Sequence, residues 1–403
     1  MPRLGARILL LGGDADFNVG DRAILTALVR CLALHDPTAD ISIVGQPSLL
    51  AEIPGASRVI PRGPKGLAAL MRAAAADRVI IAGGGLFQDD DSRAKMPYWA
   101  ARISLLKSVN ARVSGLAIGA GPLAHPESRV AARVACAALE RVSVRDRFAR
   151  EALAACTSRP VTIVPDPAFM LDPAPRELAG AQLRRLGMPE GRPYIAATVH
   201  RWFHARGGVL PNALKARLGI EAKRDHQRFD GLLGVYARAL DTLAQKLGAE
   251  VLLLPGYNTS FEGDDAACEA LRLRMPGSRV HVARIGDPRL YKALLGQAAL
   301  VISARMHPLI LAAGMGVPFV GLSYNGKFDG LYELLGLSSR SLPLDQCPDG
   351  WGVTTLVAAA ESALEARVDL RQRAEALAAR VRLEAIEAAF GAAVPAALGA
   401  ADA

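Results

Sequence analysis

Aromatic residues and cysteines are scarce in this sequence, and each shortage excludes a class of protein. Phe, Trp and Tyr make up 5% of the 403 residues, so the stacking platforms that bind single-stranded nucleic acids are not expected. Cysteine is present five times, an odd number, and no two cysteines form a Cys-x-x-Cys pair. This pattern argues against a disulfide framework or a zinc site and is typical of a reducing compartment.

Long apolar runs are also missing. No stretch is long enough to span a bilayer as a helix, and residues 1–13 lack the apolar core and the cleavage site of a signal peptide. We therefore interpret residues 6–13 as a first β-strand and expect a cytoplasmic protein. Peripheral contact with the inner face of the membrane stays open, as does homo-oligomerisation.

Acidic residues are outnumbered by basic ones, with 39 Asp and Glu against 48 Lys and Arg, which gives a net charge of +9. The basic residues are spread along the chain rather than gathered in runs. Such a balance favours anionic small molecules as partners first and an anionic membrane surface second, and we expect no nucleic-acid partner.

Short apolar runs alternate with helical patterns along most of the chain. This alternation predicts an α/β protein with parallel sheets covered on both faces, and the length favours two doubly wound, Rossmann-like domains. The predicted strands are residues 6–13, 41–45, 78–85, 113–121, 141–146 and 160–166, and then 194–200, 250–256, 279–284, 300–304 and 318–324.

The domain boundaries follow from composition. We expect an N-terminal domain over residues 1–175, a C-terminal domain over 190–354, and helices over 355–403 that could cross back to the first domain. The Pro-rich stretch 171–193 is interpreted as a linker. Ligands of doubly wound sheets bind beyond the carboxyl ends of the strands, so the loops there, facing an expected cleft, are the candidates for function.

The first such loop, residues 12–21, joins a strand to a helix and contains Asp14, Asp16, Asn18 and Asp21. A helix N-terminus suits an anion, but three acids make hydroxyl groups of an acceptor an equally fair ligand. The structural alternative is a tight turn in which Asn18 and Asp21 cap the helix.

The second loop, residues 83–90, begins with three glycines. Gly84 and Gly85 allow close approach of a ligand or of a neighbouring strand, and Gln88 and Asp89 are expected to face the cleft. Adjacent acids usually form a solvated turn, so no metal is predicted here. Further along, Asp146 is expected to cap a helix and form an ion pair, and Asp166 lies between two prolines as an anchor.

The sharpest pattern is Ser303-Ala304-Arg305-Met306-His307, which follows a predicted strand. Arginine offers a planar fork that matches phosphate or carboxylate, and histidine can exchange a proton near neutral pH. Lys327 follows shortly after, and Arg201 ends the first strand of the second half. The alternative is a capped turn with His307 bonded to backbone.

These stretches resemble, in order and spacing, the polysaccharide pyruvyl transferase family, whose members have a glycosyltransferase-B-like architecture. The resemblance covers about residues 8–337. It rests on residues 18–21, 83–89, 118–122, 144–146, 166–169, 303–307 and 316–318, with Tyr324 and Lys327. Met306 stands where leucine is more usual, and residues 200–228 depart from the family pattern.

The resemblance implies transfer of the pyruvyl group of phosphoenolpyruvate to a sugar or lipid-linked glycan as a ketal, without metal or organic cofactor. It implies that Arg305 and His307 contact the donor, and Arg201 is the best match to a further arginine. Ser303 and Lys327 complete the expected donor group, with His307 as general acid. Asp14 or Asp21 would act on the acceptor, beside Asn18, Gly20, Gly84, Gly85, Gln88 and Asp89.

Three other functions stay open. A nucleotide-sugar-dependent glycosyltransferase of the same architecture could use Arg305 and Lys327 on a diphosphate. A non-catalytic sugar-binding protein would be expected to lack the Arg-x-His pair, which is present here. A transferase with another donor or acceptor is the third.

Overall fold

The computed structural model describes residues 5–90, 92–109, 112–202, 208–209, 218, 225–258, 263–338, 341–366 and 369–390. The chain forms two compact units. The first consists of the described residues of Met1–Asp16, Asp21–Met170 and Ala376–Ala403. The second consists of those of Phe17–Gly20 and Leu171–Glu375.

The first unit is built on a parallel sheet of eight strands. The strands run in the order β3-β2-β1-β4-β6-β7-β8, and β5 pairs with β6. They are β1 (Arg7–Leu11), β2 (Asp40–Val44), β3 (Arg58–Ile60), β4 (Arg78–Ala82), β5 (Gly85–Phe87), β6 (Val113–Ala120), β7 (Val142–Val144) and β8 (Thr162–Ile163).

Helices connect these strands. They are α1 (Val19–His35), α2 (Leu49–Glu52), α3 (Leu67–Ala74), α4 (Lys95–Val109), α5 (Pro126–Ala138) and α6 (Arg147–Ala154). The central strands are mostly apolar because the sheet is covered on both faces, and β6 is buried at every position.

The second unit repeats the plan with six parallel strands in the order β11-β10-β9-β12-β13-β14. They are β9 (Tyr194–Thr198), β10 (Glu250–Leu253), β11 (Val280–Val282), β12 (Leu300–Ser303), β13 (Phe319–Ser323) and β14 (Leu342–Pro343). Its helices are α7 (Arg176–Arg185), α8 (His226–Leu247), α9 (Asp264–Arg272), α10 (Pro288–Leu295), α11 (Met306–Ala313), α12 (Lys327–Leu334) and α13 (Val353–Glu365).

The two sheets confirm the predicted fold class of two doubly wound α/β units with helices at the carboxyl end of the chain. The stretch 171–193, expected to be a linker, instead contains α7 and belongs to the second unit. Pro175 immediately precedes α7, where proline does not remove a helical hydrogen bond. The last helix, α14 (Leu370–Phe390), is divided between the units. Its residues up to Glu375 belong to the second unit, and its residues from Ala376 onward belong to the first.

All five cysteines are buried and free. Among the described residues, no helix is both long and apolar enough to cross a membrane.

Candidate functional site

Each sheet has one point where the strand order reverses. In the first unit it lies between β1 and β4, and in the second between β9 and β12. Loops at the carboxyl ends of such strands diverge and leave a crevice in which ligands bind. The predicted site residues follow these four strands, except Lys327, which follows β13. The strand order therefore indicates nearly the same loops as the sequence.

The turn after β12 is held by Ser303. Its hydroxyl oxygen accepts a hydrogen bond from the Arg305 backbone N–H at 3.0 Å and donates to the Arg305 carbonyl at 2.6 Å. It also lies 2.6 Å from the hydroxyl of Thr198, which ends β9. Ser303 is fully buried. The structure therefore places this predicted donor ligand inside the turn, where it fixes the backbone of Arg305.

Below the turn, Tyr236 of α8 holds the two strand ends together. Its hydroxyl donates to the Ile302 carbonyl at 2.7 Å and also lies 3.3 Å from the Thr198 carbonyl. Burial raises the pKa of Tyr236 well above its ordinary value, so the hydroxyl remains a donor. Sequence reasoning missed this residue because a tyrosine on a helix gives no local sign of the strands that it joins.

Arg305 is oriented by a buried carboxylate. Its Nε lies 3.2 Å and its Nη2 2.7 Å from the two oxygens of Asp264, which is 1% exposed. Asp264 also accepts the backbone N–H groups of Gly256 and Tyr257 at 3.1 and 2.9 Å, and the guanidinium lies 5.3 Å from the centre of the Tyr257 ring. A bidentate carboxylate of this kind fixes the plane and direction of the guanidinium.

Asp264 was not among the predicted site residues. A weak signal existed, since it opens the helix that follows β10 at the carboxyl end of the sheet, next to β9. Nothing in the sequence, however, indicates that this acid and Arg305, 41 positions apart, would meet.

His307 lies against the backbone of Gly20. A Cβ placed on Gly20 would lie 2.0 Å from Nδ1 of the imidazole, so any side chain there would displace the ring. The segment Phe17–Gly20 is part of the second unit. The Val19 N–H donates to the Gly256 carbonyl at 2.9 Å, and Asn18 forms an antiparallel bridge with Tyr257.

Asn18 also caps α1, because its side-chain oxygen accepts the Gly20 N–H at 2.9 Å. The sequence had grouped Asn18 and Gly20 with the acceptor residues of the first half. The structure instead brings both into the unit that contains His307 and Arg305.

The other predicted cations of the second unit contact aromatic rings. The Arg201 guanidinium lies 5.2 Å from the centre of the Phe229 ring. Lys327 donates from Nζ to the Tyr324 hydroxyl at 2.5 Å and lies 4.2 Å from the centre of that ring. Tyr324 in turn packs on Trp202, with ring centroids 4.9 Å apart. Most of residues 200–228, whose role the sequence left open, lies outside the described residues.

In the first unit, Asp21 fastens the loop after β1 to the glycines after β4. Its carboxylate accepts the Asp14 N–H at 2.8 Å, and Cβ atoms placed on Gly13 or Gly84 would lie within 2.5 or 2.9 Å of it. Asp16, with a side chain only 3% exposed, accepts the Gln46 N–H and pairs with Arg62 at 3.0 Å. Both acids therefore shape this loop.

The loop of residues 83–89 is joined to the end of β6. The Gly119 N–H donates to the Gly84 carbonyl at 2.8 Å, and the Gly121 N–H to the Phe87 carbonyl at 2.7 Å. Gln88 is buried, and a Cβ on Gly85 would lie 2.7 Å from its side-chain oxygen. Gly84 and Gly85 thus permit close packing of backbone and side chains.

Asp89 is 1% exposed and supports the start of α5. Its carboxylate accepts the backbone N–H groups of Ala124 and His125 at 3.1 and 2.9 Å and lies 3.1 Å from Nδ1 of the His125 ring. Burial opposes ionisation of Asp89, but the hydrogen bonds from His125 and Ala124 outweigh it and lower the pKa of this carboxyl. The result is a carboxylate–imidazole pair whose histidine side chain is 30% exposed. The sequence did not indicate it.

Nearby, three more charges are paired in the interior. Asp146 caps α6 by accepting the Ala149 N–H at 2.7 Å, which confirms the predicted cap. Arg145 lies 3.3 Å from Asp146 and 3.5 Å from Asp166, and all three side chains are at most 5% exposed. Asp166 is thus the anchor that its position between prolines indicated.

Metal ligands do not gather here. Within the described part of the chain, no three His, Cys, Asp or Glu side chains are grouped so that they could hold a metal ion. Asp91, the third member of the acidic run, lies outside the described residues.

Solved structures with the same fold include sugar-nucleotide enzymes. The UDP-GlcNAc 2-epimerase of Neisseria meningitidis is 12% identical, with 96% of this chain and 100% of that chain covered and a TM-score of 0.56. A putative UDP-N-acetylglucosamine 2-epimerase of Listeria monocytogenes is 15% identical over 96% and 97%, with a TM-score of 0.58. A glycosyltransferase of Rickettsia africae is 11% identical over 96% and 100%, with a TM-score of 0.55.

At these identities the likeness establishes a glycosyltransferase-B-like fold alone. No curated protein matches the sequence significantly. The sequence profile of the polysaccharide pyruvyl transferases matches residues 18–326, which is more than half of the chain. That range includes β12 and the Arg305–His307 turn, and the chain belongs to the polysaccharide pyruvyl transferase family.

Proposed function

We propose that the protein transfers the pyruvyl group of phosphoenolpyruvate to two hydroxyl groups of a sugar or lipid-linked glycan, forming a ketal and releasing phosphate. The observation that carries the proposal is the Arg305–His307 turn, in which Asp264 fixes the cation and Gly20 fixes the imidazole. Family membership supports a transferase of polysaccharide biosynthesis; the donor and the chemistry are our proposal.

The donor carries a phosphate and a carboxylate, and both require cations. Arg305, Arg201 and Lys327 are the proposed ligands, since all three follow strands at the carboxyl edge of the second sheet. Arg305 is the best prepared of them. Its guanidinium is held in one plane by Asp264 before any ligand binds, so less conformational freedom is lost on binding.

His307 is the proposed general acid. A proton passes from His307 to the methylene carbon of the donor, and C2 becomes electrophilic. The first sugar hydroxyl attacks C2 and loses its proton to a base. The second hydroxyl then forms the other C–O bond as the C2–O bond to phosphate breaks, and its proton passes to the neutral imidazole of His307, which restores the general acid. Fixing the ring against Gly20 would keep the proton donor in one position.

On the acceptor side, Asp14, Asp21 and His125 are the proposed candidates for the base. Asp14 and Asp21 lie in the same loop after β1, where the Asp21 carboxylate accepts the Asp14 N–H. His125 is a candidate because the buried carboxylate of Asp89 orients its ring. The acid of a hydrolase triad orients the catalytic histidine in the same way. Gly84, Gly85 and Gln88 would then support the loop rather than contact the acceptor.

The test separates two donors. The purified protein is mixed with phosphoenolpyruvate or with UDP-GlcNAc, and the melting temperature is measured for each. We expect phosphoenolpyruvate to raise the melting temperature. When a glycan acceptor is then added, inorganic phosphate should be released, and ¹³C NMR should show the signal of a ketal carbon. A rise with UDP-GlcNAc alone would instead favour the nucleotide-sugar glycosyltransferase.

A further inference from the structure

We propose that the outer faces of α4 and α5 form a docking surface for an anionic lipid membrane. The surface, here called the α4–α5 face, carries large apolar side chains exposed to solvent. They are Tyr98, Leu105 and Val109 on α4, and Val130 and Val134 on α5.

Helix α4 is apolar on two opposite sides. Its inner side buries Met96, Ile103 and Leu106 in the core of the first unit. The outer side exposes 54% of Tyr98 and 39% of Leu105, seven residues apart and so two turns along one face. Large apolar side chains that recur on the exposed face of a helix are candidates for contact with another surface.

Helix α5 continues the surface. Val130 and Val134 are 54% and 47% exposed and lie one turn apart, while Ala131 and Ala135 are buried beneath them. The two helices pack against each other. Large exposed apolar side chains thus occur on two helices that are in contact, rather than singly as on an ordinary protein exterior.

The charged residues of these two helices are mostly basic. Helix α4 contains Lys95, Arg102 and Lys107 and no acid. Helix α5 contains two arginines and a single acid, Glu127, which is already paired with Arg93. Basic residues that flank exposed aliphatic and aromatic groups match an anionic membrane interface, where each cation near the surface adds attraction.

A second copy of this chain is the less favourable occupant. In a two-fold dimer the same patch meets itself, so the cations of α4 would face each other. The position of Arg102 also suits lipid. Its guanidinium lies 5.8 and 5.9 Å from the centres of the Tyr98 and Trp99 rings, and tyrosine with arginine is typical of the headgroup level of a bilayer.

The surface also bears on the acceptor. Helix α5 starts directly after His125, one of the proposed acceptor bases. Docking through the α4–α5 face would therefore keep the loop of residues 121–125 near the bilayer, where a lipid-linked glycan would be presented. The proposed membrane binding does not depend on the proposed reaction.

The experiment measures co-sedimentation of the full chain with vesicles of phosphatidylcholine alone and of phosphatidylcholine with phosphatidylglycerol. We expect binding to the anionic vesicles that weakens as salt is added. Leu105→Glu with Val130→Glu should reduce that binding by at least about tenfold. The matched control adds the same two charges elsewhere, as Leu178→Glu with Leu273→Glu, at side chains 56% and 72% exposed in the second unit.

Three results would overturn the proposal. The wild-type chain could fail to bind anionic vesicles, the control pair could weaken binding as much as the test pair, or the wild-type chain could be a dimer that only the test pair dissociates. Melting temperatures of both pairs within a few degrees of wild type show that the variants fold. Ketal formation from a soluble acceptor is measured separately, so a failure of the reaction and a failure of docking are distinguished.

Discussion

The two units share one strand order but treat the charges at its reversal in different ways. In the second unit, a buried acid, Asp264, supports a partly exposed cation, Arg305, and so prepares a charge for a ligand. In the first unit, Asp16, Asp21 and Asp89 accept backbone N–H groups of neighbouring loops. Asp16 also pairs with Arg62, but Arg62 donates to the Gly13 carbonyl and so stabilises its own loop, whereas Arg305, held by Asp264, is the cation that we propose binds the donor.

If the second unit binds and protonates the donor, the largest loss of activity is expected from a substitution of His307. His307→Gln keeps the size and polarity of the side chain but cannot supply a proton from an imidazolium. We expect ketal formation to fall by about 100- to 10,000-fold, with the melting temperature and the affinity for phosphoenolpyruvate little changed. Initial rates of phosphate release measure the effect, and a rate near that of wild type would remove His307 from the chemistry.

The second effect concerns the fork of Arg305. Arg305→Lys retains the charge but loses the planar pair of donors that Asp264 holds, so the affinity for phosphoenolpyruvate should fall by roughly tenfold to a hundredfold. Calorimetric titration gives the dissociation constant. The matched control is Arg238→Lys on an exposed part of α8, which should leave the affinity unchanged. Arg145→Lys is not suitable as a control, because Arg145 is buried between two acids.

A third effect tests the contact between Gly20 and His307. Gly20→Ala places a methyl group where the imidazole lies, so the turnover number should fall by about tenfold or more, while donor affinity falls less. Gly234→Ala is the matched control, because a Cβ on Gly234 meets nothing within 4 Å. Equal kinetics for the two variants would show that the ring position does not matter.

A fourth experiment decides between the acceptor bases of the first unit. If His125 takes the proton, His125→Gln should lower the turnover number by about 100-fold. Asp14→Asn should then leave the turnover number close to that of the wild type. The opposite outcome assigns the base to Asp14 and leaves Asp89 and His125 as a structural cap of α5.

The last prediction concerns stability rather than turnover, at a buried cation of the second unit. Lys292 is 3% exposed and donates to the Leu171 carbonyl at 2.6 Å. Burial lowers the pKa of Lys292 to about 8 from 10.5, against the attraction of Asp172. Below about pH 8 both the folded and the unfolded chain are protonated, and the cost of burying the charge is fully present.

Between about pH 8 and 10.5 the unfolded chain binds the extra proton, so stability contributed by Lys292 rises with pH. Relative to Lys292→Met, the wild-type free energy of unfolding should therefore increase by about 3 kcal/mol or less over this range. Urea unfolding at several pH values measures it. A difference that is flat or falls with pH would contradict the assignment.

The architecture was predictable because apolar strands and glycine-ended loops repeat at regular intervals, and parallel sheets require strands that are apolar throughout. The Ser303–His307 turn was predictable for the same reason, since its position after a strand is a local property. The partners of that turn were not. Asp264, Tyr236 and Gly20 reach it through tertiary contacts between segments far apart in the chain.

In the loops of the first unit, too, the sequence identified polar residues but did not predict their contacts. Sequence identified Asp89 and Gln88 as polar residues after a glycine run and placed them toward a ligand. Both are buried, because β5 turns the chain onto β6 and brings Asp89 to the N–H groups before α5. The orientation of a side chain in a loop depends on which backbone donors lie nearby, and spacing along the sequence does not encode that.

The central claim is that Arg305, held by Asp264, binds phosphoenolpyruvate. Calorimetric titration of phosphoenolpyruvate into the wild-type protein and into Arg305→Met tests it most directly. We expect saturable binding to the wild type and at least about a tenfold loss of affinity in the variant. Equal affinity in both proteins, or a wild type that binds UDP-GlcNAc and not phosphoenolpyruvate, would contradict it.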